Sequence, residues 1–163
     1  MPGVSGPTTA GTGRVLTAVF TCGARAGFPS LRCELGAEPG AAAVARRRVR
    51  ECFANHLTDD KVADAALLVS ELVANAGAAS PPSGTVGLSA RVVGSDVLIE
   101  VFDQSLAIPQ NQCRDPEDLS ENGRGLLLVE ALSRAWGWHA VAGGKVVWSL
   151  LALSPFDNGG QDS

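Results

Sequence analysis

Residues 67–76 read LLVSELVANA, an apolar run that is interrupted by one acid and one amide. The run lies in a proline-free segment, 62–79, which follows a capping side chain and two acids, Thr58, Asp59 and Asp60. A hydroxyl at the cap and negative charge in the first turn are typical of a helix start. We therefore predict a long, largely apolar helix in this part of the chain.

Glu71 and Asn75 are the two polar interruptions of this helix, and their spacing of four places them on the same side. A carboxylate among apolar neighbours loses hydration, so it must find partners, stay protonated or face a cation or ligand. The simpler interpretation is a helix edge that reaches solvent. The segment taken by itself favours that simpler interpretation.

The chain on either side of this helix alternates between strand-like and helix-like patterns. Two antiparallel hairpins and two more helices are predicted, which gives an α+β layer with helices on one face of a mainly antiparallel sheet. The predicted elements are a strand at 31–35, a turn at 36–40, a helix at 41–57, strands at 86–93 and 97–102 around Gly94-Ser95-Asp96, a helix at 125–136, and strands at 137–141 and 146–153.

The two ends of the chain predict tails rather than core. Residues 1–13 and 154–163 are rich in small and polar residues, so the domain is expected over 14–153 with its core at 31–153. A short strand is possible within 14–20. The long aperiodic loop at 103–122 indicates a lid.

The composition excludes several classes of protein. A net charge of −4 argues against a general nucleic-acid binder, and the basic run at 46–50 is interpreted as a solvated helix face. The 4 cysteines form no CxxC pair and have no neighbouring histidine, which indicates thiols in a reducing compartment. With no secretory signal and no apolar run of about 20 residues, we expect a cytoplasmic protein without membrane contact.

Two further features suggest a ligand site. Gly123, Arg124 and Gly125 precede an apolar helix, where free backbone N–H groups and the helix dipole favour phosphate, although glycine-rich turns are also common helix entrances. Asp103 ends a strand at the expected edge of the sheet. It can accept a hydrogen bond from an exocyclic amine such as that of adenine, or simply form a turn.

Taken in order, four segments resemble the histidine-kinase-like ATPase superfamily, especially small ATP-binding proteins related to anti-sigma-factor serine kinases. The resemblance covers residues 31–153. The segments that carry it are SELVANA at 70–76, VFD at 101–103, GRGLLLV at 123–129 with Trp136-Gly137, and GGKVVW at 143–148.

The resemblance implies a two-layer sandwich of the Bergerat ATP-binding type, with a sheet of four or five strands and helices on one face. ATP would be held between the layers with Mg²⁺. By position, Asn75 would coordinate the metal and Glu71 would act as general base. Asp103 would bind the adenine amine. The phosphate set would comprise Gly123, Arg124, Gly125 and Leu126.

Three positions depart from the superfamily's pattern. Gln104-Ser105 follows Asp103 where a glycine is usual at the second position, Val146 takes the place of an expected hydroxyl near Asp103, and Gly77 to Ser80 lack an expected basic residue or histidine. The first change restricts the backbone near the base, the second removes a donor that helps fix the acid or a water, and the third reduces the phosphate contacts. The pattern therefore supports binding more directly than turnover.

The resemblance therefore implies a serine/threonine protein kinase that takes part in transcription regulation and binds a sigma factor or an antagonist protein. The alternative is a degenerate nucleotide-binding or non-catalytic interaction module. Relatives of this kind often dimerise, so a homodimer is also expected.

Overall fold

The computed structural model describes residues 28–107, 109 and 124–154, with only the backbone of Arg124. The possible strand at 14–20, the N-terminal tail, all but the first residue of the C-terminal tail, and most of the predicted lid lie outside the described residues. Gly123 lies outside them as well.

Within the described ranges, a five-stranded sheet has the order β1-β2-β3-β5-β4, and every neighbouring pair is antiparallel. Three helices accompany it in the same ranges. The elements are β1 (Ser30–Gly36), α1 (Ala41–Phe53), α2 (Asp59–Ala79), β2 (Thr85–Val93), β3 (Asp96–Asp103), α3 (Arg124–Leu132), β4 (Ala135–Val141) and β5 (Gly144–Ala152).

The hydrophobic core lies between one face of the sheet and the helices. Alternate strand residues point to this face, as the period of a β-strand requires, and they pack against the apolar sides of α1 and α2. Along β3, for example, Val97, Ile99 and Val101 are buried. α2 packs on β2, β3 and β5, whereas α3 packs on α2 and β4. The predicted two-layer α+β fold is confirmed.

α2 forms where local chemistry predicts it. The Thr58 hydroxyl accepts a hydrogen bond from the backbone N–H of Lys61 at 3.4 Å, and the helix ends at Ala79, just before Ser80 and Pro81. By length and composition α2 is apolar enough to cross a membrane. Its buried stripe, which includes Leu68 and Leu72, packs within the domain, so α2 serves here as a core helix.

Several predicted boundaries move, and three of the changes have a clear local form. α1 ends at Phe53 rather than at residue 57, and α3 ends at Leu132 because the backbone N–H of Arg134 donates to Leu150 and so joins the sheet. The turn between β2 and β3 is shorter than expected. Gly94 adopts a φ of 60°, and Asp96 already belongs to β3, where Arg134 forms an ion pair with it.

The basic run at 46–50 is solvated as predicted. Arg46, Arg47 and Arg50 are exposed, and Arg48 is half-buried next to Glu51. The run therefore supplies polar surface to α1 rather than a separate site.

Candidate functional site

Glu71 and Asn75 belong to α2, and their side chains lie beside the first turn of α3. Both side chains are half-buried on α2, and both face the backbone of Gly125. A Cβ placed on Gly125 would lie 2.6 Å from Glu71 Oε2 and 3.5 Å from Asn75 Nδ2. The fold thus brings together three residues that the sequence predicted for catalysis, metal binding and phosphate binding. Both interpretations of the two polar residues, a helix edge that reaches solvent and a ligand site, stay predictions.

The absence of a side chain at Gly125 creates this close approach. Any larger residue would push against the Glu71 carboxylate, so the glycine lets the backbone in the first turn of α3 lie close to the acid and the amide. Free N–H groups at a helix start attract anions, and an amide oxygen is a suitable ligand for Mg²⁺. The arrangement fits a phosphate group with its metal ion.

Asp103 forms the second part of the candidate site. It ends β3, which lies between β2 and β5, so it is at the end of a central strand and not at the edge of the sheet. Only 1% of its surface is exposed. Its Oδ1 atom accepts two hydrogen bonds of 2.8 Å, one from the backbone N–H of Ser105 and one from Lys145 Nζ. A buried ion pair therefore occupies the predicted base-recognition position.

Lys145 is the functional candidate that sequence reasoning missed. It pairs with Asp103 across β3 and β5, and only 4% of its surface is exposed. Val146, which was expected near Asp103, instead pairs with Phe102 and lines a cavity of about 590 Å³ on the opposite face of the sheet. The prediction for Val146 is wrong because adjacent residues of a strand point to opposite faces.

Gly144 allows β5 to approach β3 at this point. A Cβ on Gly144 would lie 1.9 Å from the carbonyl oxygen of Asp103, which is far inside any permitted contact. The preceding residue, Gly143, has a φ of 82° and makes the turn from β4. Together the two glycines set the position from which Lys145 reaches Asp103.

The two parts of the site lie at the same end of the molecule. α2 ends at Ala79 and is joined by a short loop to Thr85, the first residue of β2, which lies beside the end of β3. Asn75 is four residues before the end of α2, or about 6 Å along the helix axis. The C-terminal half of α2, which carries Asn75, and the buried Asp103 therefore approach one rim of the sandwich.

Two other segments depart from the superfamily's pattern, Gln104-Ser105 after Asp103 and the end of α2 from Gly77 to Ser80. Ser105 donates its backbone N–H to Asp103 and accepts from Ala107, while the Gln104 side chain accepts from the backbone N–H of Thr85 at 3.4 Å. The segment after Asp103 is thus a turn closed by side chains. At the end of α2, Ser80 donates its hydroxyl to the carbonyl of Ala76, and no cation is offered there.

A metal ion would depend on a ligand at this site. The described residues contain no cluster of three or more His, Cys, Asp or Glu side chains that could hold a metal. Mg²⁺ commonly takes one or two protein ligands together with nucleotide phosphates and water. Asn75 fits that limited role. The predicted contributions of Gly123 and of the Arg124 side chain lie outside the described residues, and Leu126 is buried within α3.

The architecture is an open two-layer α+β domain, and both layers contribute residues to the candidate site. A profile of the histidine kinase-like ATPase domain matches residues 35–149, which is most of the chain. The chain belongs to the histidine kinase-like ATPase family. This membership supports an ATP-binding regulatory role.

Comparison with solved structures gives a match to the histidine kinase domain of a blue-light-activated histidine kinase, EL346, from Erythrobacter litoralis. The two share 20% sequence identity with a TM-score of 0.46, and the match covers 70% of this chain and 60% of that one. None of the curated proteins matches the chain.

Proposed function

We propose that this protein binds Mg-ATP and acts as an anti-sigma-factor-type serine/threonine protein kinase in the cytoplasm. Its protein partner would be a sigma factor or an antagonist of one, and the protein would regulate transcription through that partner. The observation that carries the proposal is the contact of Gly125 with both Glu71 and Asn75, because it gathers a possible base, a metal ligand and a helix start.

The chemistry follows from the position of each group. ATP supplies the transferable phosphoryl group, and Mg²⁺ neutralises its charge. Asn75 would ligate the metal through its amide oxygen, and the start of α3 would hold phosphate. The Glu71 carboxylate lies beside them and would orient or deprotonate a serine hydroxyl of the partner.

Calorimetry with Mg-ATP tests the binding half of the proposal. The wild-type protein should bind, and Asn75→Ala should weaken binding in the presence of Mg²⁺ much more than in its absence. Ala74→Ser is a suitable control because Ala74 is exposed on the same helix. A wild-type protein that shows no heat of binding at millimolar Mg-ATP would refute this half.

Phosphoryl transfer needs a separate test. Incubation with labelled ATP and a cognate antagonist should label a serine of that antagonist, and Glu71→Gln should lower the rate by about 100-fold or more, as expected for loss of a general base. Labelling at an undiminished rate in Glu71→Gln would remove Glu71 from the chemistry while leaving ATP binding intact.

The second candidate is a binding module that regulates its partner by contact without phosphoryl transfer. The buried Lys145–Asp103 ion pair favours it, since a cation already occupies one oxygen of the expected base acceptor. This candidate predicts that the protein binds its partner without transferring phosphate to it, whether or not nucleotide changes the affinity. The kinase proposal predicts that Mg-ATP changes the affinity for the partner.

A further inference from the structure

The buried ammonium of Lys145 has unused hydrogen-bonding capacity. An ammonium carries three N–H donors, and the described residues give this one a single hydrogen-bond partner, Asp103 Oδ1 at 2.8 Å. The side chain of Lys145 is only 5% exposed. Buried donors require acceptors, so the remaining donors point to an acceptor supplied by water or by a ligand.

Asp103 has a complementary free position. Both hydrogen bonds that it receives within the described ranges end on Oδ1. A carboxylate has two oxygens and about four acceptor sites, which leaves Oδ2 available for a donor. The pair therefore offers a ligand one N–H donor and one carboxylate oxygen that are next to each other.

We propose that Lys145 is a second base-recognition residue, which donates to an acceptor atom on the edge of the nucleotide base while Asp103 Oδ2 accepts from the adjacent N–H. This inference rests on the proposed nucleotide-binding function. Two purines present the required edge. Adenine has the acceptor N1 beside its exocyclic amine, and guanine has the acceptor O6 beside N1–H.

Direct recognition of the base by Lys145 also accounts for the absence of the hydroxyl that was expected near Asp103. The inward-facing residue opposite Asp103 is a lysine, whose longer side chain carries its donor to the carboxylate itself. The ammonium both neutralises the buried acid and presents a charged donor. Charge-assisted hydrogen bonds are stronger than neutral ones, so the acceptor atom of the base becomes a determinant of affinity.

Nucleotide analogues test this inference on the unmodified protein. ATP is compared with 1-deaza-ATP, which keeps the amine but lacks the N1 acceptor, and with 7-deaza-ATP, which keeps N1. Binding of 1-deaza-ATP should be about tenfold weaker or more, whereas 7-deaza-ATP should bind like ATP. If GTP binds more tightly than ATP, the matching comparison is GTP with 6-thio-GTP, which keeps N1–H but carries the weaker acceptor sulfur in place of O6.

The variant Lys145→Met then tests whether the difference in affinity between ATP and 1-deaza-ATP depends on the lysine. In this variant the loss of affinity on removing the acceptor should fall below about twofold. Lys61→Met, in the first turn of α2, should retain the full loss of affinity. Lys145→Met leaves the buried Asp103 carboxylate without its cation, which is strongly destabilising. The wild-type series therefore stands as a test by itself.

The outcomes separate this inference from the function on which it rests. Tight binding of ATP or GTP with no loss for the analogue that lacks the acceptor would overturn the role of Lys145 and leave nucleotide binding intact. The same holds for a full penalty that persists in folded Lys145→Met. Failure of every nucleotide to bind would overturn both proposals.

Discussion

Gly144 is in backbone contact with Asp103 across β3 and β5, so closely that a Cβ on Gly144 would lie 1.9 Å from the Asp103 carbonyl oxygen. The carbonyl oxygen of Asp103 belongs to the main chain of a central strand, so it cannot move away by a change of side-chain rotamer. This contact fixes the distance between the strand that ends in Asp103 and the strand that carries Lys145.

Gly144→Ala should therefore destabilise the protein by about 3 kcal/mol or more, at the upper end of overpacking costs. Urea unfolding measures the effect. Gly77→Ala is the matched control, because nothing lies within 4 Å of a Cβ at Gly77 in α2. That substitution should raise stability by about 0.5–1 kcal/mol. Equal stability of Gly144→Ala and wild type would contradict the packing of β5 on β3.

Gly125→Ala should separate nucleotide binding from folding. The Cβ would meet the end of the Glu71 side chain, which can rotate, so the free energy of unfolding should change by less than about 1 kcal/mol. The displaced carboxylate and the filled space should weaken Mg-ATP binding by about tenfold or more.

Calorimetry checks this prediction, and Leu127→Ala is the control because Leu127 is 62% exposed on the same helix. Relief of the clash in Gly125→Ala/Glu71→Ala should restore part of the affinity. An unchanged affinity in Gly125→Ala would place the phosphates elsewhere.

The Asp103–Lys145 pair should show a large coupling energy in a double-mutant cycle. Either Asp103→Leu or Lys145→Met leaves one buried charge unpaired, at a cost of about 3–5 kcal/mol, whereas the double variant should be close to wild type. The control is Arg91–Glu100, a pair whose side chains are 46% and 31% exposed. Its removal should cost less than about 1 kcal/mol. Additive single-variant effects at positions 103 and 145 would contradict a buried ion pair.

Cys33 should make stability decline in alkaline solution. Burial raises the pKa of its thiol above the ordinary value of 9.0, and the nearby Arg48 opposes part of that rise. Above about pH 9 the unfolded chain loses this proton while the folded chain keeps it. The thiol's contribution is therefore complete below that pH and decreases by up to about 1.4 kcal/mol per pH unit above it.

Unfolding midpoints at about pH 8 and about pH 10 provide the measurement. Cys33→Ala should lose less stability over this interval than the wild type does. Identical declines in the wild type and in Cys33→Ala would assign the effect to other groups.

Local chemistry made much of the fold predictable. The Thr58 cap and first-turn acids mark the start of α2, and Gly94 marks the turn between β2 and β3. The boundary between α3 and β4 depends instead on a distant partner. Arg134 leaves the helix because its N–H reaches Leu150, and a helical pattern in the sequence carries no information about that strand.

The candidate site was predictable by residue type but only partly by position. Glu71 and Asn75 were identified, yet their contact with Gly125 arises from the packing of α3 on α2 and has no local signature. Lys145 could have been found from the sequence. If Val147, Ser149 and Leu151 face inward, the alternation of a strand also directs residue 145 inward and residue 146 outward.

The division of the site between two layers has a mechanical consequence. Asp103 and Lys145 belong to the sheet, whereas Asn75 and Gly125 belong to the helices. A nucleotide that contacts the residues of the sheet and those of the helices would link two layers that otherwise pack through apolar side chains. At 100 times its dissociation constant, such a ligand adds about 2.7 kcal/mol to the free energy of unfolding of the whole domain. Nucleotide binding would therefore oppose separation of the two layers.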